Sequence, residues 1–137
     1  MNNFKIQVDE WILKSQELTE AVVKDAAQEM AISASVPVGN GGRMPVVDGF
    51  LRNSIAASIN SLPSGESKKP KDYVGAWNPT ELVTAINRMK LGDKLYIGWT
   101  AIYAQKREND RMFMRSAAQN WPQFVAESTN KLKERIG

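Results

Sequence analysis

A long segment, 9–34, most constrains the fold, because its apolar residues recur at the spacing of an α-helix. Asp9 is a favourable N-cap residue, so the helix is predicted to begin there and to end near Ser35. The predicted packing face is rich in alanine, which predicts close contact with another element. Its members are Trp11, Ile12, Leu18, Val22, Val23, Ala26, Ala27, Met30 and Ala34.

A second long helical pattern covers 111–135 and contains Pro122. Proline removes a backbone hydrogen bond within a helix and bends it. Since the apolar spacing is the same on both sides of Pro122, we predict one bent helix, capped by Asp110. Its apolar face is Phe113, Met114, Ala117, Ala118, Trp121, Phe124, Val125, Leu132 and Ile136.

Shorter elements are predicted between the two helices. Strands are predicted over 73–77 and 94–99, and a helix over 79–90 that Asn78 caps and Gly92 ends. The segment 54–59 fits either a helix or a strand, and we favour a strand. Asp48 is expected to cap a helical turn over 49–52, and 100–109 fits either a strand or a short helix. The expected fold class is α+β. One domain, 1–137, has a small antiparallel or mixed sheet packed by a long N-terminal helix and a long kinked C-terminal helix.

Two loops are predicted, over 36–47 and 61–72, because both contain glycine and proline. The first is a flexible surface loop or an extension that orders against a neighbouring subunit. The second carries Lys68, Lys69 and Lys71, which are either a solvated tip or a contact with DNA or an acidic protein surface.

The composition restricts the chemistry, because the 137 residues include no histidine and no cysteine. Zinc sites and nucleophiles that depend on histidine or cysteine are therefore excluded, and we expect no cofactor and no enzymatic activity. The net charge of +3 is too small to indicate a nucleic-acid-binding protein by itself. No apolar run approaches the roughly 20 residues that span a bilayer, and we expect no membrane contact.

The carboxylates form no suggestive pair. Asp48, Asp72, Asp93 and Asp110 each lie beside a turn or a helix start, where capping is the simpler interpretation. Glu108 follows an aromatic segment and is the one acid that a hydrolase could use, together with a lysine. The simpler interpretation is a salt bridge to Lys106, Arg107 or a neighbouring residue.

Three motifs occur in order along the chain. The first is PVVDGFLRNS, residues 45–54, and the second is YIGWTAIYA, residues 96–104, which Glu108 follows. The third is MFMRSA, residues 112–117. Together they resemble the head–tail joining and tail-completion family of HK97-type bacteriophages, with its patterns P-V-D-T-G-x-L-R-x-S, V-G-x-x-A-x-Y-A and P-F-L-R-P-A. The usual threonine before the glycine and the first proline of the last pattern are absent here.

This resemblance implies a structural subunit that assembles into a ring and joins the tail tube to the head connector or stopper proteins. We favour six copies capping the tail tube over twelve beneath the portal. The implied location is the neck of a virion assembled in the host cytoplasm, with non-specific contact to DNA in the lumen. The residues that carry the motifs or an interface are Asp48, Gly49, Leu51, Arg52, Tyr103, Glu108, Phe113 and Arg115.

An alternative function is a DNA-binding accessory protein. Its phosphate contacts would come from basic residues of the second loop and of the segment after the second motif. These residues are Lys68, Lys69, Lys71, Arg107 and Arg111.

Overall fold

A computed structural model describes the backbone of residues 2–46, 49–62, 69–71, 73 and 75–136, and the side chains of these residues except 2–6, 8, 12 and 136. The described residues form six α-helices and a two-stranded antiparallel sheet, which confirms the α+β class. The elements are α1 (Asn2–Ala34), α2 (Phe50–Asn53), β1 (Ile55–Ile59), α3 (Thr80–Asn87), β2 (Leu95–Trp99), α4 (Ala104–Arg111), α5 (Phe113–Gln119) and α6 (Trp121–Ile136).

Helix α1 ends at Ala34, as predicted, but it begins at Asn2 rather than at Asp9. The predicted cap at Asp9 is therefore wrong. Residues 2–8 contain neither glycine nor proline, so nothing in them stops the helix from extending. At the other end, the Ser35 hydroxyl donates to the Ala31 carbonyl at 2.9 Å, and Pro37 follows two residues later.

The second half of α1 packs against α6, and the two helices run antiparallel. Asp25 accepts hydrogen bonds from Ser128 (2.6 Å) and Lys131 (2.8 Å), while Arg135 lies near Ala21 on the preceding turn of α1. Burial of Asp25 opposes its ionisation, but the bonds from Lys131 and Ser128 outweigh it and lower its pKa below the ordinary value of 3.8. The long-helix packing predicted from the sequence is confirmed.

The alanine face of α1 explains how closely its neighbours approach. Ala26, Ala27, Ala31 and Ala34 are all buried, and α3, α5 and α6 pack against this helix. Trp11 was predicted to share that face, yet it is 69% exposed. Helical spacing places Trp11 on the face, but α6 ends about three turns away, where its Arg135 lies beside Ala21 and Val22.

The sheet pairs β1 with β2 in the register Ile55↔Trp99 to Ile59↔Leu95, so two of the three predicted strands are confirmed. The third, over 73–77, is wrong: its described residues form no strand. The side chain of Asn53 binds this segment and satisfies backbone groups that a neighbouring strand would otherwise use. The sheet is therefore an antiparallel pair, and α3 packs on β1.

Helix α3 lies within the predicted range 79–90 but is shorter. The Asn78 side chain accepts a hydrogen bond from the Thr80 amide at 3.1 Å, as a capping residue does. The helix ends at Asn87, and Gly92, with φ +98°, lies in the following turn.

The predicted bent helix over 111–135 is divided into α5 and α6, which are separated by Asn120. The prediction of one continuous helix is therefore wrong. Pro122 is the second residue of α6, where its missing amide hydrogen breaks no helical hydrogen bond. Asp110 does not cap α5 either, because it lies inside α4, and Met112 in the left-handed conformation (φ 56°) separates α4 from α5.

The loop predicted over 36–47 contains one turn of 3-10 helix, Val38–Asn40, and is closed on itself. The Val38 amide donates to the Met44 carbonyl and the Met44 amide donates to the Val36 carbonyl, both at 3.0 Å. Met44 is fully buried and anchors this loop to the core, whereas Val38 and Val46 are exposed. In the second loop, the described residues 61, 62 and 69–71 form neither helix nor strand.

Candidate functional site

The three sequence motifs meet in one buried cluster, here called the motif cluster. Phe50 and Leu51 come from the first motif, Ala101 and Ala104 from the second, and Phe113 from the third. The cluster also contains Met44, and it is flanked by the partly buried Tyr73, Trp99 and Tyr103. Trp99 also packs against the cluster beneath α1 and α3, so it joins the two halves of the core.

Aromatic rings hold the motif cluster together in edge-to-face geometry. Phe113 meets Trp99 with ring centroids 5.0 Å apart at 80°, and Phe50 meets Tyr73 at 5.2 Å and 76°. Tyr103, a motif residue by sequence, lies 6.3 Å from Phe50 in a tilted arrangement. Such pairs stabilise by about 0.5–1.5 kcal/mol beyond their buried area. Phe113, Tyr103 and Leu51 therefore act in packing.

Gly49 requires glycine for two reasons. Its φ of +86° is unfavourable for a side chain, and a Cβ atom there would lie 2.7 Å from the Gly75 carbonyl oxygen. It occupies the N-cap position of α2, which confirms the predicted helical turn. Asp48, the predicted cap, lies outside the described residues.

Arg52 lies with its guanidinium 5.1 Å from the centroid of the Trp77 ring, a cation–π distance. Its Nε atom is buried and has no hydrogen-bond partner among the described residues. The Arg52 side chain therefore packs over Trp77, in the segment that follows Tyr73.

Asn53 contributes more to this region than the sequence indicated. Its amide nitrogen donates to the Tyr73 hydroxyl (3.0 Å) and the Ala76 carbonyl (2.9 Å), and its oxygen accepts from the Asn78 amide (3.1 Å). One side chain thus fixes the segment that leads into α3. Its partners lie 20 to 25 residues away, so local sequence patterns could not reveal it.

Glu108 has a structural role that neither sequence interpretation named. It is 5% exposed, and its two carboxylate oxygens accept hydrogen bonds from the backbone amides of Met114 (3.1 Å) and Arg115 (3.2 Å). It therefore caps the start of α5. The expected salt bridge is wrong for Arg107, which pairs with Asp110 at 3.8 Å. Arg115 contributes its backbone to this cap, and its side chain is exposed.

Beside the motif cluster lies a half-open groove of about 390 Å³. Its walls come from β2, from α4 and α5, and from the chain after β1. Leu62, Ile102 and Met114 line it and are 73%, 51% and 43% exposed. Trp99 and Phe113 line it from the core side, and Glu108 is the charged residue in the lining. The groove is thus a surface of mixed polarity with several exposed apolar side chains, and it is built mainly from the second and third motifs.

Exposed basic residues lie on the helices that form one side of this groove. Lys106, Arg107 and Arg111 of α4 and Arg115 of α5 are exposed, together with Asp110. Of the lysines predicted to contact DNA, Lys69 and Lys71 are exposed, and Lys68 lies outside the described residues.

No group of three acidic residues suited to a metal ion occurs in the part of the chain that the structure describes. Among the described helices, none combines the length and the apolar character needed to cross a membrane. No known family model matches the chain, and neither a curated protein nor a solved structure shows detectable similarity to it.

Proposed function

We propose that this chain is a structural subunit of the head–tail junction of a long-tailed bacteriophage. It would act as a tail-completion, tail-terminator or neck protein that assembles into a ring and joins the tail tube to the head connector. The observation that supports this most is the convergence of the three motifs in one cluster.

Convergence matters because each motif is weak on its own. Leu51, Ala101 and Phe113 match their family patterns at separate places in the sequence, yet all three are buried in the motif cluster. Chance matches to short patterns have no reason to pack together. In contrast, residues that recur in a family because they build one core must pack together in the folded protein.

The surface also favours assembly. Trp11, Leu62 and Ile102 are large apolar side chains that are more than half exposed. Isolated exposed apolar residues are ordinary, but those around the groove are contiguous with a buried aromatic cluster. Such a surface is typical of a protein that is covered by partners in its working state.

The test is to delete the coding sequence in the cells that produce the particles and to image the products by electron microscopy. Separate filled heads and tails are expected, and the intact gene supplied in trans should restore joined particles. An antibody label on normal particles should lie at the junction. Normal joined particles from the deletion, with no label on them, would overturn the proposal.

The exposed cations of α4 and α5 favour one alternative, a DNA-binding accessory protein. Four basic side chains and one acidic one are exposed between Lys106 and Arg115. If phosphate contacts dominate, the affinity for duplex DNA should fall steeply with salt, and replacement of Arg107 and Arg111 by alanine should reduce the salt dependence by about one ion per lost contact. Salt-independent or undetectable binding would eliminate this alternative.

A further inference from the structure

The first half of α1 extends past the end of α6, the helix that runs antiparallel to it. Arg135, near the end of α6, lies beside Ala21 and Val22, and α6 ends at Ile136. Residues 2–17 of α1, here called the arm, therefore extend past α6. At 1.5 Å per residue, these roughly 16 residues add about 24 Å of helix.

The described side chains of the arm offer an exposed aromatic anchor within an acidic surface. Trp11 is 69% exposed, although tryptophan is usually largely buried. Among the side chains of the arm that the structure describes, Asp9, Glu10, Glu17 and Lys14 are charged and exposed, and together with Lys5 the sequence of the arm carries a net charge of −1. Tryptophan is also among the residue types that most often dominate binding at protein interfaces.

The groove has the complementary character. It is half-open and about 390 Å³ in volume, and the exposed apolar side chains of Ile102 and Met114 line it. The exposed charges of α4 and of Arg115 are four basic and one acidic, and the buried Glu108 in the lining brings the net charge of this side of the groove to +2. A helix with an excess of acidic side chains and an apolar anchor is therefore complementary to it in charge and in apolar character.

The arm cannot fill the groove of its own subunit. Trp99, which lines the groove, packs in the same cluster as Ala27 of α1. Trp11 precedes Ala27 by 16 residues of continuous helix, which separates the two by about 24 Å along the axis. A helix can only reach this groove from another molecule.

We propose that the arm of one subunit docks in the groove of a second copy, with Trp11 inserted between β2 and α4. This inference rests on the proposed function, since it names the contact that builds the ring. Each subunit offers one arm and one groove, so the contact is head-to-tail. A head-to-tail contact generates a closed ring or an open filament, whereas a symmetric contact stops at a dimer.

The experiment uses the full chain and native mass spectrometry. Trp11→Lys should disable the arm, and Ile102→Lys should disable the groove. Both side chains are exposed, so both variants should fold, which circular dichroism checks. Leu91→Lys is the matched control, because Leu91 is 48% exposed and lies outside both surfaces. Each disabling variant should weaken assembly at least about tenfold, as loss of a central anchor does, and the control should not.

Mixing the two disabled variants gives the sharpest readout. The Ile102→Lys subunit keeps its arm and the Trp11→Lys subunit keeps its groove, so a single contact can form between them. A one-to-one heterodimer that grows no further is expected. If the wild type assembles and both variants assemble equally well, the arm–groove contact is wrong while the ring proposal stands.

Three further outcomes distinguish the arm–groove contact from the ring and from the proposed function. A wild-type chain that is monomeric at high concentration would overturn both the contact and the ring. Variants that dissociate without forming the heterodimer would overturn the head-to-tail contact. If the contact is found but no label lies on virions, the contact stands and the proposed function fails.

Discussion

The two halves of α1 belong to one continuous helix, yet they differ in what surrounds them. From Glu20 onward the helix contacts α3, α5 and α6, and its alanines are buried. The arm, in contrast, leaves Trp11 and Leu13 exposed. Both halves contain apolar residues at helical spacing, so the difference lies in the partners and not in the helix. Amphipathic spacing shows which face can be buried, and only the tertiary structure shows where a partner is present.

The arm and the rest of the subunit, here called the body, should differ most in the stability lost on substitution. The largest loss should come from truncating a large side chain that is buried beneath α1. Ile86 of α3 is fully buried in the cluster with Ala27 and Ala31. Ile86→Ala should cost about 2–5 kcal/mol through lost burial and a cavity. Trp11→Ala, although it removes more atoms, should change stability by less than about 0.5 kcal/mol, as other exposed substitutions do.

Urea unfolding at a concentration where the subunits are separate measures both effects. A loss of several kcal/mol for Trp11→Ala under these conditions would mean that the arm packs on its own subunit.

Overpacking should have the next largest effect. Ala31 is 1% exposed where α1 meets its neighbours, so a larger side chain has no space. Ala31→Leu should destabilise by about 1–3 kcal/mol. The adjacent Ile32 is 38% exposed, so Ile32→Leu is the matched control and should be nearly neutral. Equal effects in urea unfolding would show that the alanine face is not closely packed.

Gly49 tests the motif cluster, which belongs to the body. Gly49→Ala must adopt φ +86° beside the Gly75 carbonyl, and should cost about 1–2 kcal/mol from the left-handed conformation alone. The control is Gly39→Ala, because a Cβ atom there meets nothing within 4 Å. Thermal unfolding of the two variants compares them. If Gly39→Ala were the more damaging, the described backbone at Gly49 would be wrong.

The smallest effect should come from pH, at the contact between α1 and α6. The pKa of Asp25 is lowered in the folded state, so its contribution is present above the unfolded value near 3.8 and is lost as pH falls through the folded pKa. Because the pair with Lys131 is partly exposed, the effect should be about 1 kcal/mol or less. Asp25→Asn should flatten the stability profile below pH 4, and an unchanged profile would contradict this assignment.

The sequence predicted the long helices, two strands and the cap at Asn78, because local spacing and capping chemistry determine them. The sequence-based prediction failed where a side chain that is distant in the sequence determines the local structure. Asn53 binds the segment 73–78 and prevents the predicted strand. Glu108, which precedes Met112, caps helix α5, which follows it. The positive φ of Met112 that makes this possible could not be predicted from residue propensities. In the candidate site, glycine at position 49 was identifiable as a motif residue, but the groove depends on elements that meet only in the fold.

Hydrogen exchange followed by mass spectrometry tests the central claim most directly. Amides of the packed half, 20–34, should be protected in both the wild type and Ile102→Lys, because the body covers them. Amides of the arm, 2–17, should be protected in the assembled wild type and should exchange rapidly in Ile102→Lys. Equal protection of the arm in the two proteins would contradict the claim that a second copy, and not its own subunit, covers it.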